Sequence, residues 1–185
     1  MKQKESLAMY VIRLAGTLLA ICMVVAVALA GVNMITAPII EKLNAEKTQR
    51  AIEMVLPGGF DTELTDFDDA SGIVSKIYRG ANGYAVEVGP GGFDNTITMV
   101  VGVDNEGKVM GISVVSHTET KGLGEVAAAG TPKGAAFREQ FVGVGEPVSV
   151  TKDNGTIDAI TGATITSRAI CAGVNAALDC VAGLG

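Results

Sequence analysis

From Leu14 to Ile40 the chain holds 27 residues without a charged side chain, bounded by Arg13 and Glu41 and rich in Leu, Ile, Val, Ala and Met. A helix of that length reaches roughly 40 Å, enough to cross a hydrocarbon core of about 30 Å with room for tilt. The run predicts one transmembrane helix, residues 14–40, seated in membrane lipid. Lys2, Lys4 and Arg13 come before it. The positive-inside tendency then places residues 1–13 in the cytoplasm and residues 41–185 on the periplasmic or extracellular side. A cleaved signal peptide is the competing reading, with Ala28 and Ala30 before Gly31 as its cleavage site. Signal cores are about 7–15 residues long, and this run continues well past that site. A lipoprotein box ending at Cys22 would need a small residue where Ile21 stands.

Beyond the run the periodicity changes twice. Pro38 suits a first helical turn, and Ile40, Leu43, Ala51, Ile52 and Val55 recur at helical spacing until Leu56-Pro57-Gly58-Gly59 ends the pattern. Residues 60–72 read as an acidic, solvated loop. Four β-branched or aromatic runs follow, 73–78, 84–88, 96–103 and 109–115, separated by Asn82-Gly83, Pro90-Gly91-Gly92 and Asn105-Glu106-Gly107. Loops that short predict an antiparallel meander. A polar, Gly-rich stretch from Ser116 to Gly130 comes next, then a short helix over 135–141, a strand over 148–151, and a final helix. On that helix Ile170, Val174, Ala177, Leu178 and Val181 form an apolar stripe. The fold class predicted is α+β: an anchor helix, then an external domain with an antiparallel sheet and flanking helices.

Composition narrows the function. The 185 residues carry 14 basic and 20 acidic side chains, and the pI is near 4.8. Three of the basic and one of the acidic groups precede residue 41, leaving 11 and 19 in the external part, a net of −8. Nucleic-acid binding is excluded, because phosphate backbones require clustered Lys and Arg. The cysteines build no disulfide framework: Cys22 is in the span, and Cys171 and Cys180 stand nine residues apart on one helix, on opposite faces. No C-x-x-C pair points to a metal.

Two segments have candidate chemistry. Thr161-Gly162-Ala163-Thr164-Ile165-Thr166-Ser167 stands directly before the final helix, where free N–H groups and the positive end of the macrodipole favour a phosphate. N-capping by Thr166 or Ser167 would account for one of these hydroxyls only. His117 and Glu119 precede Gly122-Leu123-Gly124; they read as an acid/base pair, as metal ligands, as the wall of a ligand site, or as turn geometry alone.

Asp158-Ala159-Ile160-Thr161-Gly162-Ala163-Thr164 resembles the flavinylation pattern D-x-x-[S/T]-G-A-T, and His117 to Gly124 resembles the H-x-E-T-P-G-L-G segment of the same family, with Lys121 in place of Pro. Pro90-Gly91-Gly92-Phe93 and Phe141-Val142-Gly143 resemble two further segments of it. With the membrane span, the chain looks like the G subunits of the Rnf ion-translocating ferredoxin:NAD oxidoreductase. The C subunits of the sodium-pumping NADH:quinone reductase share the motif but are usually longer. The resemblance implies FMN esterified through its phosphate to Thr164, with Thr161, Gly162, Ala163 and Thr166 around the attachment. It also implies that Glu119, Thr120, Leu123 and Gly124 border the flavin, glycines letting backbone approach the ring. The implied partners are the other membrane and redox subunits of the complex and, during maturation, a flavin transferase. An anchored module for a dissociable flavin, without electron transfer, is the reading from a different class.

Overall fold

The structure is a computed structural model that describes residues 7–184, with side chains described from Met9 onward. Lys2 and Lys4 lie outside the described residues. The chain divides into two compact units, Met1–Leu43 and Asn44–Gly185.

Helix α1 runs without interruption over Leu7–Val55 and includes Pro38. No new helix starts at Pro38, so the proline is internal, and its missing N–H costs α1 one ladder bond. Between residues 9 and 35 every side chain of α1 is exposed. Its last turns belong to the second unit. Ala51, Ile52, Val55 and Leu56 are buried there, and Gly58 and Gly59, both at positive φ, end the helix.

The second unit is built on a five-stranded antiparallel sheet in sequence order: β1 (Thr62–Leu64), β2 (Val74–Gly80), β3 (Gly83–Val88), β4 (Thr98–Asp104) and β5 (Val109–Ser116). The meander read from the sequence is present. The acidic stretch differs from expectation: three of its residues pair with Arg79, Tyr78 and Ile77 as an edge strand. Acidic side chains are tolerated because β1 has two of its three residues exposed. Asp69 shapes the rest of that stretch, accepting from Ser71 N–H at 2.9 Å and Val74 N–H at 2.8 Å.

The sheet is covered on both faces, which explains why its strands read as continuous apolar runs rather than alternating ones. One face carries Ile77, Val86, Val88, Met99, Val101 and Val103, packed with Phe137, Phe141, Ile170, Val174 and Val181. The other carries Tyr78, Ala85 and Val100 against Ala51, Ile52, Val55 and Leu56. Gly102 pairs with Ala85 on one side and Gly111 on the other, and a Cβ at Gly102 would fall on the Val55 carbonyl. Small residues in register thus let the end of α1 lie directly on the sheet.

Two more helices complete the unit, α2 (Pro132–Glu139) and α3 (Thr164–Ala182). Thr131 caps α2 by accepting from Gly134 N–H at 3.2 Å, with Pro132 opening the first turn. The strand expected over 148–151 reduces to a single parallel bridge between Val150 and Ile157, followed by a 3₁₀ turn, Thr151–Asp153. All five residues of the expected stripe on α3 are buried. Cys171 and Cys180 are both buried free thiols despite facing opposite ways, because α3 is covered around most of its circumference.

Candidate functional site

Three segments distant in sequence meet at the N-terminus of α3. The first is a tight turn closed by Gly92 N–H on Asn95 O at 2.8 Å and Ile97 N–H on Pro90 O at 2.9 Å. The second is the loop after β5, from His117 to Gly124. The third is the Asp158–Ser167 segment.

Glu119 ties them together. Its carboxylate accepts from Phe93 N–H at 2.8 Å, from Asp94 N–H at 3.4 Å and from the Thr166 hydroxyl, and only 6% of the residue is exposed. A buried carboxylate persists where its lone pairs are met, and here three donors meet them. Gly92 and Gly124 make the room, since a Cβ on either would collide with that carboxylate. Gly124 borders the cleft, and the space left by its missing side chain is filled by Glu119 and Thr166 rather than kept open for a ring. Glu119 does not bond His117, whose Nδ1 is buried without a hydrogen-bond partner among the described residues, beside Val114 and Ala127.

The hydroxyls from 161 to 167 have different surroundings. Ser167 is fully buried, its Oγ accepting from Ile160 N–H at 3.0 Å and donating to Ala163 O at 2.9 Å. Thr166 is 2% exposed and donates to Glu119. Neither caps α3, whose N-cap position is Ala163 with no side-chain bond. Thr166 is therefore a strut between helix and loop, and Ser167 closes the segment before it. Thr161 is exposed and lines a separate, wider cleft of about 530 Å³ with Gln140, Asp158 and Lys133. There Gln140 holds the Asp158 backbone, accepting from its N–H at 2.7 Å and donating to its carbonyl at 3.3 Å. Thr164 is half-buried at the first residue of α3, and its Oγ1 accepts from Lys152 Nζ at 3.0 Å.

Thr164 opens on a cleft of about 280 Å³. Of the sequence-predicted site residues, Glu119, Thr120, Leu123 and Gly124 from the loop and Gly162, Ala163, Thr164 and Thr166 from the helix start line it, whereas His117, Thr161 and Ser167 do not. Gly162, at φ +79°, turns the chain beside Leu123 Cδ2, which a Cβ would approach to 2.9 Å. Phe93, Lys152 and Ile165 complete the walls, and sequence reasoning did not single out the last two. No spacing flags Lys152. It reaches Thr164 only because the 3₁₀ turn comes back against α3. The backbone N–H groups of Thr164, Ile165 and Thr166 take part in no hydrogen bond among the described residues. Unsatisfied donors at a helix start suit an anionic oxygen, and the exposed faces of Phe93, Leu123 and Ile165 suit a planar apolar body.

Residues 92–179 match the FMN-binding domain family. The chain is 32% identical to the G subunit of the Na(+)-translocating ferredoxin:NAD(+) oxidoreductase complex of Acetobacterium woodii, over 91% of its own length and 90% of that protein's. It is 33% identical to the G subunit of the ion-translocating oxidoreductase complex of Methanosarcina acetivorans, over 89% and 91%. Against the protein of the same description in Pseudomonas aeruginosa it is 31% identical, over 82% of each chain. The family match and the relatives make the chain a flavoprotein, an α+β domain whose cofactor is FMN. The chain belongs to the family of ion-translocating oxidoreductase complex G subunits.

The cleft fits that cofactor: free N–H donors for the phosphate, and an apolar rim for the ring. Among the described residues no cluster of His, Cys, Asp or Glu is arranged to hold a metal ion.

Proposed function

We propose that this chain is the FMN-bearing electron carrier of a membrane-embedded ferredoxin:NAD oxidoreductase that moves ions, with the flavin joined through its phosphate to the Thr164 hydroxyl. The observation that carries the attachment site is the separation of the hydroxyls: Thr166 and Ser167 are sealed and Thr161 faces another cleft, whereas Thr164 opens on the cleft where helix N–H groups are free. The flavin supplies reversible electron transfer when bound. The chain's own residues attach, orient and shield it. Glu119, pinned by three donors, fixes the loop bearing Thr120 and Leu123, while Phe93 and Ile165 restrict water at the rim.

The relatives, subunits of multi-subunit complexes, support the assembly. Electrons pass to and from other membrane and redox subunits of the complex, so the chain is a carrier within an enzyme and inactive alone. Helix α1 anchors it in lipid as a single pass, residues 14–40 spanning, residues 1–13 in the cytoplasm and residues 41–185 outside. An unactivated threonine is a weak nucleophile, so a separate flavin transferase makes the bond from a flavin whose phosphate is activated as a pyrophosphate: the Thr164 oxygen loses its proton and displaces the outer phosphate group, with Asp158 and Gly162-Ala163 giving the transferase access to the chain.

Acid denaturation followed by peptide mass spectrometry tests this. Flavin should stay with the peptide containing Thr164, and Thr164→Val should lose it while remaining folded. Flavin released by acid would mean a dissociable cofactor, and an adduct on Thr161 would move the site to the wider cleft. Reporter fusions placed after Glu41 test the topology: activity on the cytoplasmic side would reverse it.

A further inference from the structure

The turn from Val150 to Ile157 is built more firmly than a surface loop requires. Val150 and Ile157 are buried, Thr151 N–H bonds Ile157 O at 2.8 Å, Gly155 N–H bonds Val150 O at 3.0 Å, and Asn154 takes the left-handed conformation that closes the 3₁₀ turn. Asp153 then grips α3 from outside, accepting from Arg168 Nε and Nη2 at 2.6 Å each. Such a fork fixes direction as well as distance. Lys152, the residue before it, is thereby directed at Thr164 Oγ1, 3.0 Å away.

The electrostatics are incomplete without an anion. The first turn of α3 has the positive end of a helix dipole and three free N–H groups, a place where cations are disfavoured. Two cations nevertheless stand there. Arg168 is neutralised by Asp153. Lys152 makes no ion pair among the described residues: it feels the Asp153 charge only through space, behind the contact that Arg168 makes, and donates to a neutral hydroxyl. Glu119, the nearest buried carboxylate in the cleft, is occupied by Phe93, Asp94 and Thr166. A phosphodiester on Thr164 would bring one negative charge to the atom next to the one Lys152 already touches.

We propose that Lys152 is the counter-cation of the phosphoester on Thr164, and that the Asp153–Arg168 fork is the positioning device that holds it there. This rests on attachment at Thr164. Lys152 would hold the phosphate still and so fix where the flavin ring can lie in the cleft.

The test uses the full chain in detergent, made with and without the flavin transferase, as wild type, Lys152→Met and Lys152→Arg. Melting temperatures and the ³¹P resonance are compared at low and high salt. Lys152→Met should lower the melting temperature of the flavin-loaded chain by about 2–4 °C more than that of the flavin-free chain. High salt should shrink that difference, Lys152→Arg should abolish it, and the ³¹P signal should move only in Lys152→Met. Equal losses in both forms, with an unmoved ³¹P signal, would show Lys152 to be a structural prop and overturn the proposal. Should folded Lys152→Met acquire no flavin, acquisition by Lys152→Arg supports the proposal and failure of both overturns it. An adduct on a peptide lacking Thr164 would sink the attachment reading instead, a result mass spectrometry of the wild type gives independently.

Discussion

Helices α1 and α3 each contain a stretch long and apolar enough to cross a membrane, and the fold treats them in opposite ways. None of the most apolar stretch of α1 is buried by the rest of the chain, whereas 67% of that of α3 is. The charges mark the difference in advance: 27 uncharged residues in one, Arg168 and Asp179 within the other. Hydropathy reports how much apolar surface needs covering. What covers it depends on what else the chain offers: the apolar stripe of α3 meets a sheet face, and the most apolar stretch of α1 does not.

The largest effect should come from charging the covered helix. Ile170→Asp places an unpaired carboxylate in the main core and should abolish the cooperative calorimetric transition of the detergent-solubilised chain. Leu19→Asp on the uncovered helix should leave that transition in place and instead reduce the membrane-bound fraction, since a central Asp costs about 2.5–3.5 kcal/mol on insertion. If Leu19→Asp unfolds the second unit as well, the two helices are not separable in the way described.

Helix α1 is itself divided, because one face of its last turns, Ala51, Ile52 and Val55, is buried against the sheet. Gly102→Val forces a side chain against the Val55 carbonyl, and overpacking of that kind costs about 1–3 kcal/mol. Urea unfolding should report it as a lower midpoint. A midpoint equal to wild type would mean that the end of α1 is not held on the sheet.

Thiol chemistry should separate the helices more gently. Burial first, and then the nearby Asp153 charge, push the Cys171 thiol up to about 11, and burial raises Cys180 as well. A lipophilic maleimide at neutral pH should label Cys22 and spare both α3 thiols until the fold is denatured. Early labelling of Cys171 would indicate local opening of α3.

The smallest effect is a pH dependence at the start of α3. Hydrogen bonds from Arg168 hold the Asp153 carboxyl below its ordinary value of 3.8. A depressed carboxylate contributes stability above the unfolded pKa, and the contribution disappears as pH falls through the lower folded value. Wild type should therefore lose slightly more melting temperature than Arg168→Ala between pH 5 and strongly acidic solution. Parallel curves would show the fork to be energetically idle.

Much of the site was readable in the chain because its parts are short and local. The Asp158–Thr164 motif, the His117–Gly124 loop and the start of the last helix each announce themselves by glycine, hydroxyl and spacing. Lys152 did not, being one lysine among 14 basic residues with no periodic neighbours. Two of the three partners of Glu119 were hidden for a different reason, because the Phe93 and Asp94 N–H groups it binds belong to the backbone and leave no trace in side-chain identity.

What the sequence by itself determined follows from local and solvent physics: an uncharged run too long for a core helix, β-branched runs between turn residues, and a phosphate-suited helix start. The tertiary structure decided which hydroxyls are sealed and which cleft each open one faces, since Thr161, Thr164, Thr166 and Ser167 are chemically alike and differ only in what packs on them. It also decided that Pro38 is internal to α1, that three acidic-loop residues form an edge strand, and that both cysteines of α3 are buried. The hydroxyls and the cysteines depend on long-range burial and the edge strand on pairing with β2, both of which fix the surroundings of a residue only once distant segments have closed around it.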